Sequence, residues 1–197
     1  MVDPFSVLPG IPLKRRTTFG PETKPLELVD LDSPAIMVMT DFTAVTPVTI
    51  FPEASIDSAL KRMKTAGVRL IFVVNDAYEI IGLITAKDIL GERPVTITQQ
   101  TGMPHSAITV AMVMTPQADI QVLDAMRVKQ ASVGEIVETL RALERQHALV
   151  ARIDRPTGKQ QIIGMFSTSQ IGKLLDRDVM PGPPLAHSLA EIVEKVG

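Results

Sequence analysis

Short β-branched runs alternate with longer stretches of helical spacing along this chain, and the order occurs twice. In the first pass, residues 44–50 are β-branched and strand-sized, with Pro47 placing the run at a sheet edge or a bulge. Pro52 to Ser55 form a turn that delivers Ser55 as an N-cap. Ile56, Ala59, Leu60 and Met63 then fall at helical spacing, and Gly67 ends that helix. Residues 70–74 are apolar without interruption, the pattern of a strand buried on both faces. Asn75 to Tyr78 turn the chain, residues 79–84 return as the partner strand, and a short helix is expected from just after Thr85 to about Leu90.

The second pass follows the same plan. Residues 121–128 supply the first strand, and Ser132 with Glu135 makes a capping box in which each side chain satisfies a backbone N–H. Val133, Ile136, Val137, Leu140 and Leu143 form one apolar helix face. Residues 148–153 and 161–166 read as paired strands, joined by a turn through Arg155, Pro156, Thr157 and Gly158.

Two short signals mark the duplication. Met37-Val38-Met39-Thr40 returns as Met112-Val113-Met114-Thr115, and Gly82-Leu83-Ile84-Thr85 returns as Gly164-Met165-Phe166-Ser167. Two copies of a small unit imply that neither hides its apolar face alone, so the copies pack together and the cleft between them is where function is expected. The expected organisation is a proline-punctuated arm over residues 1–33, a first repeat over 34–91, a linker over 92–109, a second repeat over 110–178 and a tail over 179–197. In that tail, Ser188 and Glu191 cap a short amphipathic helix with Leu189, Ile192, Val193 and Val196 on one side.

Composition narrows the function classes. Of 197 residues, 45% are hydrophobic, enough for a core, but only 4% are aromatic, and that is poor material for stacking on nucleic-acid bases. The net charge of -2 argues against a polyanion binder, and Lys14-Arg15-Arg16 reads as a solvated patch. With no cysteine and with His105, His147 and His187 far apart, neither a thiolate site nor a metal site is expected. No window has the uninterrupted apolar length of a membrane span, so a cytoplasmic protein is expected. The methionines at 37, 39, 112 and 114 read as core filler, while the role of Arg152 in the second repeat's strand stays open.

The candidate chemistry lies at Gly82-Leu83-Ile84-Thr85-Ala86-Lys87-Asp88, where a strand gives way to a helix. Thr85 offers a hydroxyl, Lys87 a full positive charge, and Asp88 a carboxylate able to accept from a pair of sugar hydroxyls. The same letters also spell an acidic capping box that needs no ligand. Both readings stand on the residues alone.

In its order of elements, from Pro47 through Pro52-Glu53-Ala54-Ser55-Ile56 and Val74-Asn75 to the Thr85-Asp88 segment, the chain resembles a CBS domain. The duplication, each copy announced by Met-Val-Met-Thr, resembles a tandem CBS pair, or Bateman module, over residues 34–178. That resemblance implies an α+β fold of two βαββα repeats in a pseudo-twofold pair. It also implies clefts that bind AMP, ADP, ATP or S-adenosylmethionine as regulatory ligands rather than obligatory cofactors. In the family pattern Thr85 meets phosphate, Asp88 takes the ribose hydroxyls, and aliphatic strand residues, Ile84 among them, sandwich the adenine. Arg69 occupies a position where some members place a phosphate-binding side chain, and His147 is its expected counterpart in the second copy. Ser167 keeps the second hydroxyl, but Gln170 stands in place of the acid, so one competent cleft and one weak or empty one are expected.

Two functions follow as alternatives: an adenosine-ligand sensor that alters its own oligomer or a partner protein, and a structural, dimerising or partner-docking module with empty clefts. No paired base and nucleophile or Walker-type loop supports an enzyme. A homodimer and a regulated protein partner are the expected assemblies, with neither nucleic acid nor membrane involved.

Overall fold

The computed structural model describes residues 28–176, together with 12, 14 and 179. The expected helix from Ser188 and most of the proline-punctuated arm lie outside the described residues.

The helices begin where the sequence places caps. Ser55 accepts from the Ser58 N–H to start α1 (Ile56–Ala66), which Gly67 ends in the left-handed conformation at φ 67°. The reciprocal box of Ser132 and Glu135 starts α6 (Val133–Ala142). Each strand-to-helix signal folds as read: β4 (Ile80–Thr85) runs into α2 (Ala86–Leu90), and β8 (Gln160–Ser167) into α7 (Thr168–Leu175). The central strands are β3 (Leu70–Val74) and β7 (His147–Ile153).

Other elements differ from expectation. The run at 44–50 yields only β2 (Thr49–Ile50), because Pro47 has no N–H to give and pairing begins where the Phe72 N–H meets the Val48 carbonyl. The run at 121–128 splits into β6 (Val122–Asp124) and α5 (Ala125–Val128), since the Asp124 side chain accepts from the Met126 N–H and caps a helical turn. The expected linker holds α3 (Glu92–Thr101); Pro94 stands in its first turn, where a missing N–H breaks no intrahelical bond. Leu143, expected on the apolar face of α6, is 42% exposed beyond its end.

The strands form two four-stranded sheets, and each takes one strand from the other repeat. β1 (Thr40–Asp41) pairs with β8, in the order β1-β8-β7-β6; β5 (Thr115–Pro116) pairs with β4, in the order β2-β3-β4-β5. The Met-Val-Met-Thr segment of each repeat therefore completes the sheet of its partner repeat. Its apolar residues follow: Ala35 and Val38 are buried in the second half, Val110 and Val113 (in α4, Val110–Val113) in the first.

This crossing explains the second duplicated signal. Gly82 pairs with Pro116 and Gly164 with Asp41. A Cβ at Gly82 would lie 2.8 Å from both the Met114 sulfur and the Thr115 carbonyl; one at Gly164 would lie 2.7 Å from the Met39 sulfur. Both glycines are there because a crossing strand and its methionine sit against them.

The layers run helix, sheet, sheet, helix. Along β3, Ile71 and Val73 face the helices while Leu70 and Phe72 face the other sheet, where they meet Leu149 of β7. Burial on both faces is what made β3 read as an unbroken apolar run.

Candidate functional site

Strand alternation decides which residues reach the space between the halves. On β4, Leu83 and Thr85 line a cavity of about 220 Å³, whereas Ile84 is fully buried in the helix-side core. Ile84 thus lies away from the cavity, contrary to the family-based expectation, and the aliphatic walls come from Leu83 with Leu70 and Leu149. Thr85, Lys87 and Asp88 line one side; Gln121, Glu144, Arg145 and His147 from the second repeat line the other.

Thr85 and Asp88 form the complete capping box. The Asp88 N–H donates to Thr85 Oγ1 at 3.3 Å, and Asp88 Oδ2 accepts from the Thr85 N–H at 2.9 Å and from its hydroxyl at 2.7 Å. The hydroxyl proton is already given to Asp88, so donating to a ligand phosphate requires it to turn. Oδ1 takes none of these bonds; its neighbour is Arg93 Nη1 at 3.9 Å. Arg93, a residue with no sequence signal beyond its place in the presumed linker, also donates to the Val113 carbonyl at 2.8 Å. It ties α3 to the crossing segment beside the carboxylate.

A second cleft, about 520 Å³, lies across the pseudo-twofold and is lined by Ser167, Ser169, Gln170, Lys173, Arg69 and Thr40 among others. Here Ser167 Oγ accepts from the Gln170 N–H at 3.2 Å and shares a 2.9 Å hydrogen bond with Ser169. His147 and Leu70 line both clefts.

The register corrects one correspondence. Leu70 pairs with Thr85 and His147 with Ser167, while the Arg69 and Gln146 carbonyls accept from the equivalent Ala86 and Thr168 N–H groups. The counterpart of Arg69 is therefore Gln146, and His147 matches Leu70. Burial, and then the Arg69 charge, push the His147 imidazole down to a pKa of about 4, so it is neutral near pH 7.

Among the described residues there is no cluster of metal-ligating side chains, and no helix is long and apolar enough to cross a membrane. Arg152 is exposed.

Residues 36–94 match the family model of the CBS domain. No curated protein matches the chain in sequence. Among solved structures, the chain is similar to an uncharacterized conserved protein from Pyrococcus horikoshii, with 22% identity, a TM-score of 0.54, and coverage of 76% of this chain and 96% of that one. It is also similar to the CBS-domain containing protein ATU1752 from Agrobacterium tumefaciens, with 15% identity, a TM-score of 0.53, and coverage of 73% and 94%. The matched segment carries the first strand-to-helix signal and identifies residues 36–94 as a CBS domain, while the likeness in fold to the solved structures extends over both repeats.

Proposed function

We propose that the protein is a regulatory module whose first cleft binds an adenosine ligand, one of AMP, ADP, ATP or S-adenosylmethionine, and so alters its own assembly or that of a protein partner. The observation that carries this reading is the Asp88 carboxylate. One oxygen is held by the helix cap, the other has Arg93 Nη1 at 3.9 Å, and the residue lines the cavity, so a charged acceptor is fixed in place before a ligand arrives. Leu70 and Leu83 supply apolar walls for a flat base, and Lys87 a cation for phosphate. At about 220 Å³ the cavity is smaller than the roughly 300–1,000 Å³ typical of drug-sized pockets. It suits a nucleoside-sized portion, the remainder of the ligand lying outside.

A second reading, a scaffold with empty clefts, draws on the same box: Thr85 and Asp88 complete the capping box and the helix needs no ligand. Thermal melts separate the two. A ligand at about 100 times its Kd stabilises the fold by about 2.7 kcal/mol. Such a shift is expected with at least one of the four compounds, to be lost in Asp88→Asn, which keeps the cap's acceptor but removes the charge, and kept in Gln170→Ala. No shift with any of them favours the scaffold; equal losses in both variants assign the ligand to the wrong cleft.

A further inference from the structure

The two clefts are built on equivalent positions, but the first is balanced in charge and the second is positive. In the first, Asp88 and Glu144 balance Lys87 and Arg145. The equivalent of Asp88 in the second cleft is Gln170. The equivalent of Glu144 is Gly67: in each repeat this residue follows the first helix in the left-handed conformation, at φ 51° and 67°. Both acids of the first cleft are thus replaced by neutral residues in the second. No carboxylate remains among the residues lining it, while Arg69 and Lys173 both do, and neither forms an ion pair among the described residues. Hydroxyls of Ser167, Ser169 and Thr40 line the same space.

We infer that the second cleft is not a degenerate nucleoside site but an anion site, taking a multiply charged phosphate chain through Arg69 and Lys173 with no requirement for a ribose. Gln170 fits this role better than an acid, because its amide donates to a phosphate oxygen that a carboxylate would repel. Two cations facing a cleft without a counter-charge also leave a site that an oxyanion neutralises, and arginine and lysine are suited to phosphate as fork and point charge. The inference does not depend on an adenosine ligand in the first cleft.

The test is calorimetric titration of the full chain with pyrophosphate at fixed ionic strength, followed by competition with ATP and with adenosine. Binding is expected at one site per chain, weakened roughly tenfold or more in Arg69→Gln/Lys173→Gln, which removes two charge-assisted contacts. Gln170→Glu, a single change outside the core, is expected to weaken it as well. Displacement by ATP supports a nucleotide as the source of the phosphate chain; retention against ATP supports a free condensed phosphate; adenosine is expected to leave binding unchanged. Absence of pyrophosphate binding at millimolar concentration overturns the inference. So does affinity that is untouched in the double variant, or that is lost instead in Lys87→Ala/Arg145→Ala of the first cleft. Failure of the adenosine reading would show separately, at Asp88.

Discussion

Asp88 and His147 line the first cleft from different repeats, and their surroundings differ. The Thr-x-x-Asp spacing announced a cap and a carboxylate together, and both are present in one side chain because its two oxygens do different things. His147 was misplaced by one position, since a strand's starting residue is set by pairing with a distant strand and not by its own neighbours. Its lowered pKa has a measurable consequence. The unfolded imidazole takes a proton near pH 6.5 and the folded one only near 4, so between those values the unfolded state binds more protons and stability falls as pH drops. The loss is at most on the order of 3 kcal/mol across that window, with solvent screening reducing it. Urea melts of the protein and of His147→Gln between pH 7 and 4.5 are expected to diverge, the variant losing less. Parallel curves would contradict a neutral, charge-crowded histidine.

Among the elements, those fixed by local chemistry were readable: α1 and α6 from their caps, β3 from its unbroken apolar run. α3 was hidden because Pro94 and the β-branched Val95, Thr96, Ile97 and Thr98 speak against a helix, and only its position against the rest of the first half overrides them. The crossing of β1 and β5 could not be seen in either segment alone, yet the paired recurrence of methionine and glycine was its trace. Gly82→Ala is expected to destabilise the protein by about 1–3 kcal/mol, as overpacking against a backbone carbonyl does, without altering far-UV circular dichroism. A change under about 0.5 kcal/mol would mean that β5 does not press on β4 as described.

At the scale of the whole molecule, the crossing strands make each half depend on the other. Each candidate cleft is walled by both repeats, so a ligand there touches two bodies at once. Sensing requires that it favour one arrangement of them over another, and a cleft walled from both sides is where such a difference arises. The expected homodimer is checked by light scattering, which should give the mass of two 21.4 kDa chains; the mass of one would remove self-association as the output and leave a protein partner.

The central claim is that Asp88, in the first turn of α2, reads a ribose. The most direct measurement is a crystal structure of the protein soaked with whichever of the four compounds gives the largest melting shift. The account predicts ligand density in the first cleft with the sugar hydroxyls in hydrogen-bond contact with Asp88 and the base against Leu70 or Leu83. A ligand seated elsewhere, or lying in that cleft with its sugar turned away from Asp88, would contradict it.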